Sequence, residues 1–92
     1  MPEDDAKQLT LSFDALDFSQ TIEKHSVNIA GHSTSITLEP LFWQLLKHLA
    51  EQEKKALRAL IEQIDNDRVY NLSCAIRLYV MEKILKTYLT NS

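Results

Sequence analysis

The segment Ser33-Thr34-Ser35-Ile36-Thr37-Leu38 constrains the fold more than any other part of the chain. Its β-branched residues favour an extended strand, and its two large apolar side chains lie two residues apart. Because side chains alternate across a strand, Thr34, Ile36 and Leu38 share one face, and the other face holds Ser33, Ser35 and Thr37. The sequence therefore predicts one short strand with an apolar face and a hydroxyl face.

A lone strand leaves backbone N–H and C=O groups unpaired along both edges. Residues 26–30, in which Val27 and Ile29 alternate with polar residues, can fold back through Gly31 as a tight hairpin. Alternatively, residues 33–38 pair with the same segment of a second chain about a two-fold axis. We favour the second chain, because it also enlarges a core that is small for a chain of 92 residues.

Helical spacing begins at Pro40, since proline suits the first position of a helix. Two apolar stripes follow at helical intervals: Phe42, Leu45, Leu46 and Leu49, then Leu57, Leu60, Ile61 and Ile64. Residues 51–55 between the stripes are polar but include no Gly or Pro. The pattern alone therefore permits one helix from Pro40 to about Asp65.

A further helix is predicted to end near Leu89, with Asn71 or Ser73 as its N-cap. Its sequence is apolar around much of the circumference, so it must be buried against more than one neighbour. In so small a chain, we expect one of those neighbours to be another subunit.

Charge divides the chain into an acidic tail, residues 1–24, and a domain, residues 25–92. Residues 1–23 carry one lysine and six acidic residues, a net charge of −5, whereas residues 24–92 have nine basic and seven acidic residues, a net charge of +2. The tail mixes acidic residues with spaced aromatic and leucine residues. This mixture is typical of a flexible segment that becomes ordered on a partner, but it also suits a tail packed on its own domain.

Several classes of protein and site are not expected. Residues 1–8 lack the architecture of a secretory signal, and no run approaches the roughly 20 apolar residues that span a bilayer. Cys74 is the only cysteine, so no disulfide forms within one chain. The three histidines, His25, His32 and His48, lack metal-ligand spacing, and no motif supports catalysis. We expect a cytoplasmic protein that is not an enzyme and has no cofactor or metal.

The residues from Gly31 to Glu39 resemble a family of small bacterial ribbon-helix-helix proteins. The family shows a Gly-His-x-Thr-Ser-x-x-Leu-Glu run, which this chain has as Gly31-His32-Ser33-Thr34-Ser35-Ile36-Thr37-Leu38-Glu39. It also shows an aromatic pair and an Asn-Leu-Ser segment that opens the last helix. These are matched by Phe42-Trp43 and by Asn71-Leu72-Ser73, with Ile64-Asp65 and Ala75-Ile76-Arg77 as further matches. The resemblance covers roughly residues 24–89.

The resemblance implies a mainly α protein with one short strand, an intertwined homodimer with an intermolecular two-stranded antiparallel ribbon, and a third, C-terminal helix. Related proteins such as Arc and MetJ place this ribbon in the major groove, so the chain is expected to be a DNA-binding transcription regulator. The implied base-reading residues are Ser33, Ser35 and Thr37. The expected dimer core comprises Ile36, Leu38, Phe42, Leu46, Leu57 and Ile61. Phosphate binding is assigned to the cations beside the start of the second helix: Lys54, Lys55 and Arg58.

The chain departs from the family pattern in two places. The position of Ser33 is often Arg, the strongest major-groove reader, and the turn before the second helix usually has Gly and a hydroxyl cap where this chain has residues 52–56. These departures leave open a second function, a protein-interaction module of the antitoxin-like or regulator-binding kind. It would bind a protein partner through the acidic tail or the third helix.

Two structural roles are also predicted outside the strand. Trp43 follows Phe42 and points away from it, which indicates a packing residue in the dimer or against the third helix. Asp65 and Arg77 have opposite charges and are assigned as an ion pair between the last two helices.

Overall fold

The structure, a computed structural model, describes residues 13–69 and 71–90. A 3-10 turn, Phe13–Ala15, precedes the strands β1 (Glu23–Ile29) and β2 (His32–Leu38). Three helices follow: α1 (Pro40–Gln52), α2 (Leu57–Asp67) and α3 (Leu72–Thr90). The predicted order of strand, two helices and an additional C-terminal helix is confirmed, and a further strand precedes it.

The partner of β2 is a strand of the same chain. β1 runs antiparallel to it, from the pair Ile29–His32 beside the turn to the pair Glu23–Leu38. Ala30 and Gly31 form the turn, with φ of 51° and 88°. Two consecutive positive φ values match a type I′ turn, whose twist suits a two-residue hairpin. The prediction of a single strand is therefore wrong, because β1 pairs with one edge of β2. Pairing of β2 with a second chain stays a prediction.

The hairpin has one apolar face, which packs on the helices. Ile36 and Leu38 of β2 and Ile29 of β1 are buried there, while His25 and Val27 are half-buried. Ser33, Ser35 and Thr37 lie on the opposite face and are exposed. The alternation predicted for β2 is confirmed.

α1 and α2 are separate helices, although no Gly or Pro lies between them. Lys55 N–H donates to Ala50 C=O at 2.9 Å, and Lys54 N–H donates to Glu51 C=O at 3.1 Å. This pair of bonds is the Schellman motif, which needs a residue in the left-handed conformation just after the helix. Lys54 fills that position with φ of 58°, where glycine is usual. The one-helix alternative for residues 40–65 is therefore excluded.

Asn71 begins α3 as its N-cap, so of the two caps considered the structure has Asn71 and not Ser73. Its Oδ1 accepts a hydrogen bond from Cys74 N–H at 2.8 Å, which satisfies a backbone donor of the first turn. α3 is 19 residues long. Even so, the part of the chain that the structure describes contains no helix with the length and apolarity to cross a membrane.

The core lies between the apolar face of the hairpin and the three helices. Its fully buried large side chains come from both parts of the molecule: Ile36, Leu38, Leu46, Leu60, Ile61, Ile76 and Val80. α3 contacts both preceding helices and β2, and it places Ile76 and Val80 in this core. A single chain therefore surrounds its own core.

The six residues assigned to a dimer core all belong to this intrachain core. Four are at most 1% exposed within one chain, namely Ile36, Leu38, Leu46 and Ile61. Phe42 and Leu57 are half-buried and pack against them. Their contact with a second chain stays a prediction, and only the two half-buried residues have surface left for it.

The described part of the acidic tail, residues 13–22, contacts α1. Asp17 N–H donates to Gln44 Oε1 at 2.7 Å, and Gln44 Nε2 donates to Ala15 C=O at 2.9 Å. Two hydrogen bonds therefore join this stretch to α1, and the prediction for the whole tail, residues 1–24, stays a prediction. β1 begins at Glu23, just inside the predicted tail, and residues 1–12 lie outside the described residues.

Candidate nucleic-acid interface

The outer face of β2 presents the three predicted base-reading residues together. Ser33, Ser35 and Thr37 follow each other at every second position and are all exposed. Within the described residues their hydroxyl groups make no hydrogen bond. Three short hydroxyl side chains are therefore available to a ligand that lies along the hairpin.

β1 adds a second row to this face, which the sequence analysis did not assign to the site. Lys24, Ser26 and Asn28 are exposed and lie opposite Thr37, Ser35 and Ser33, respectively. The signal was present in the sequence, because Val27 and Ile29 alternate with these polar residues. Their place beside β2 depends on the hairpin, for which the sequence reading preferred a second chain.

Two of the predicted phosphate-binding cations, Lys54 and Lys55, lie in the turn between α1 and α2. The third, Arg58, lies in the first turn of α2. Lys54, Lys55 and Arg58 are all exposed. Lys55 is already engaged, because its Nζ lies 3.6 Å from Glu53 Oε1 and donates to Gln63 Oε1. Lys54 and Arg58 form no ion pair within residues 13–69 and 71–90. Two cations per chain are therefore fully available, and the third is partly neutralised.

The N-terminus of α2 lies between these cations. Its N-cap residue is Ala56, which has no side-chain oxygen to accept a hydrogen bond from the first turn. The first free backbone N–H groups therefore point out of the helix with the positive end of its dipole. An anion such as phosphate is a suitable acceptor for them. The absent hydroxyl cap, a departure from the family pattern, leaves these donors open.

An ion pair fixes the start of α1 relative to α3. Arg77 Nε donates to Glu39 Oε1 at 2.9 Å, and the guanidinium carbon lies 6.0 Å from the centre of the Phe42 ring. This hydrogen bond lowers the pKa of the Glu39 carboxyl below its ordinary value. The predicted Asp65–Arg77 pair is wrong, since Asp65 instead binds Arg68, three residues later, at 2.6 Å.

A second contact joins the α1–α2 turn to α3. The Tyr79 hydroxyl donates to Glu53 Oε2 at 2.7 Å. Burial raises the pKa of Tyr79, and its carboxylate partner adds to this effect, so the hydroxyl stays protonated as the donor. The same Glu53 approaches Lys55, so this contact also positions one of the three cations.

Trp43 is a packing residue, but its aromatic neighbour is on β1. Its ring stacks on His25, with ring centres 3.8 Å apart and planes at 9°. It also packs against the core, so α1 supports the inner side of the hairpin. His25 is thereby part of the scaffold, and among the described residues no group of three or more potential ligands is arranged to hold a metal ion.

α3 exposes a row of large apolar side chains at intervals of three and four residues. The row consists of Leu78, Met81, Leu85, Tyr88 and Leu89, exposed by 41% to 69%. A groove of about 610 Å³ runs beside it between α1 and α3, lined in part by Leu45, Leu49 and Ile84. Apolar surface of this kind marks interaction sites in soluble proteins.

A family model described as ribbon-helix-helix domain matches residues 22–84, which is more than half of the chain. The match includes both strands, α1, α2 and the first two thirds of α3. No curated protein and no solved structure matches the chain at the required level of similarity.

Proposed function

The chain belongs to the ribbon-helix-helix domain family, and we propose that it is a dimeric DNA-binding protein that regulates transcription and places its β-ribbon in the major groove. The observation that supports this function best is the outer face of the hairpin. Ser33, Ser35 and Thr37 are exposed there and uncommitted, while the inner face is fixed in the core. This is the arrangement that a groove-reading ribbon requires.

Phosphate binding is assigned to the N-terminus of α2. Lys54 and Arg58 supply free cations, and the uncapped N–H groups after Ala56 supply donors. Contacts to phosphate hold a protein in register on the duplex but carry no sequence information. The ribbon and this turn therefore have separate tasks, and separate variants can test them.

The dependence of DNA affinity on salt tests the phosphate site. Each phosphate contact contributes a slope of about −0.9 in a plot of log affinity against log salt. A dimer with three cations per chain gives a slope near −5, and the double variant Lys54→Ala/Arg58→Ala should reduce its magnitude by between 3 and 4. The measurement is fluorescence anisotropy of a labelled duplex between low and moderate salt.

A charge-matched control distinguishes the loss of this phosphate site from a general loss of positive charge. Lys83→Ala/Lys86→Ala removes the same two charges per chain from α3, where Lys86 already pairs with Glu82 at 3.2 Å. We expect its slope to stay close to that of the parent. If both double variants lose the same slope, the assignment of phosphate binding to the α2 N-terminus is wrong.

The second candidate function is a protein-interaction module with the same fold. The observation that favours it is the exposed apolar row on α3. The polar face of the hairpin also carries a single charge, Lys24, which is little for a nucleic-acid surface. No binding to duplex DNA at low salt, together with a protein partner whose binding is lost in Leu85→Glu, would establish this function instead.

A further inference from the structure

The ammonium group of Lys55 already has two acceptors in the protein. Glu53 Oε1 lies 3.6 Å from its Nζ, and Gln63 Oε1 accepts a hydrogen bond from it. One acceptor comes from the C-terminal end of α1 and the other from α2. A phosphate that approaches Lys55 therefore meets a cation that is paired with a carboxylate.

The carboxylate of Glu53 is held at both of its oxygens. Oε1 faces Lys55, while Oε2 accepts a hydrogen bond from the Tyr79 hydroxyl at 2.7 Å. The backbone of Glu53 is also fixed, because its N–H donates to Leu49 C=O at 2.9 Å at the end of α1. Tyr79 packs against the core from α3 and is a firm anchor. Glu53 therefore has little freedom to turn away from Lys55.

This anchoring strengthens the pair between Glu53 and Lys55. Surface ion pairs usually contribute little, because two long side chains lose conformational freedom when they meet. The hydrogen bond from Tyr79 already restricts Glu53, so the pair costs less of that freedom. The carboxylate also has the same sign of charge as phosphate and lies beside the cation that phosphate needs. Glu53 therefore opposes phosphate binding in two ways, by occupying Lys55 and by repelling the incoming anion.

We propose that Glu53 competes with DNA phosphate for Lys55, and that Tyr79 is the positioning residue that holds Glu53 in place. On binding, Lys55 exchanges its carboxylate partner for a phosphate oxygen. Lys54 and Arg58 need no such exchange, since they form no ion pair with the described residues. Phosphate contacts carry no sequence information, so the competition weakens binding to every duplex alike. This proposal rests on the proposed DNA-binding function and states what limits affinity at its phosphate site.

Glu53→Gln tests the competition, because the amide keeps an oxygen for the Tyr79 hydroxyl but has no charge. Fluorescence anisotropy of a labelled duplex at fixed low salt should show binding about 2- to 30-fold tighter than that of the parent, given two competing pairs in a dimer. Glu51→Gln is the matched control. Glu51 is exposed in the last turn of α1, and its side chain makes no hydrogen bond or ion pair within the described part of the chain. The control should tighten binding by less than about 2-fold.

A double-mutant cycle shows whether the effect acts through Lys55. In a Lys55→Gln background there is no cation to compete for, so adding Glu53→Gln should change the affinity no more than adding Glu51→Gln does. Equal tightening with and without Lys55 would mean that Glu53 acts only through net charge, and the proposal would be wrong.

Tyr79→Phe tests the positioning role, because it removes the hydroxyl and keeps the ring in its place against the core. It should tighten DNA binding in the parent but have no effect in the Glu53→Gln variant, where the charge that it positions is absent. The same change in both backgrounds would show that Tyr79 acts only on the fold, which would overturn its assignment as a positioning residue.

The failure of this proposal is distinguishable from the failure of the proposed function. If Glu53→Gln binds DNA no more tightly than Glu51→Gln, while Lys54→Ala/Arg58→Ala still loses salt dependence, Glu53 does not compete with phosphate and the DNA-binding function stands. If neither the parent nor Glu53→Gln binds a duplex at low salt, the proposed function fails, and this inference fails with it.

Discussion

Lys54 shows how one residue can serve the proposed function and oppose stability. Its φ of 58° places it in the left-handed region, where a side chain with Cβ destabilises the backbone by about 1–2 kcal/mol. Lys54→Gly should therefore raise the free energy of unfolding by about 1 kcal/mol, after the greater flexibility of glycine in the unfolded chain is subtracted. Denaturant unfolding followed by circular dichroism measures this change. The same variant should bind DNA more weakly, because a phosphate contact is lost.

Lys54→Ala is the matched variant for that prediction, since it removes the charge but keeps Cβ. We expect its free energy of unfolding to stay near the parent value while its DNA affinity falls as in the glycine variant. Equal stability of the alanine and glycine variants would mean that the left-handed conformation does not strain residue 54.

Glu39 makes stability depend on pH through Arg77. Its folded-state pKa is lowered, so its ion pair contributes stability above the unfolded-state pKa, and this contribution is lost as pH falls through the folded value. Arg77→Gln should raise the Glu39 pKa towards its ordinary value and flatten the stability profile on the acid side. An NMR titration of the Glu39 side chain measures the first effect. Lys86→Gln, at a surface pair remote from Glu39, should leave that titration unchanged.

At the scale of the elements, the sequence predicted the buried faces of strands and helices, which follow from periodicity. It missed the turn and the helix end that depend on residues in the left-handed conformation. The faces of β2 and the stripes of α1 and α2 follow from alternation and helical spacing. The hairpin was given second place because a second chain would also enlarge the core, and the turn gave no opposing signal, since Ala30 occupies a position where Asn or Asp is usual. The boundary between α1 and α2 was also missed, because the left-handed position just after α1 holds Lys54, whereas Gly is the usual sequence signal for the end of a helix.

The candidate site was predictable to a similar extent. Ser33, Ser35 and Thr37 were assigned by family position, and their exposure follows from the alternation of β2. The row on β1 was missed because its place on the same face depends on which strand pairs with β2. The sequence also did not predict that Glu53 partly neutralises Lys55, because contacts between side chains across a turn produce no periodic pattern.

The turn between β1 and β2 offers a prediction of its own. Ala30→Asn should stabilise the hairpin by about 1 kcal/mol, because Asn tolerates positive φ and Asn-Gly is the preferred type I′ pair. Gly31→Ala should destabilise it: a Cβ at Gly31 meets no atom within 4 Å, so only the φ of 88° opposes the substitution. Thermal unfolding of the two variants should shift in opposite directions. A shift in the same direction would contradict the type I′ assignment.

At the scale of the whole molecule, one chain supplies both a paired strand and a buried core. β1 pairs with one edge of β2, and α3 contacts α1 and α2 and adds Ile76 and Val80 to the core that contains Leu46, Leu60 and Ile61. A dimer that preserves this fold must therefore join through surface that is still exposed. The apolar row on α3 is one such surface, and Leu85 within it is 48% exposed.

The apolar row predicts where the proposed dimer forms. Residues spaced by three and four along a helix pack against a second helix, and a two-fold axis near residue 84 brings Glu82 of one chain opposite Lys86 of the other. Leu85→Glu should therefore reduce the mass in solution from twice the chain mass to 10.6 kDa, as measured by light scattering. Val69→Glu, at an exposed apolar residue before α3, should remain dimeric. A second candidate contact is the edge of β2 that β1 does not pair with, where the Ser35 N–H points away from β1. If Ser35→Pro yields monomers and Leu85→Glu does not, the chains join through that edge, and the ribbon would then have four strands.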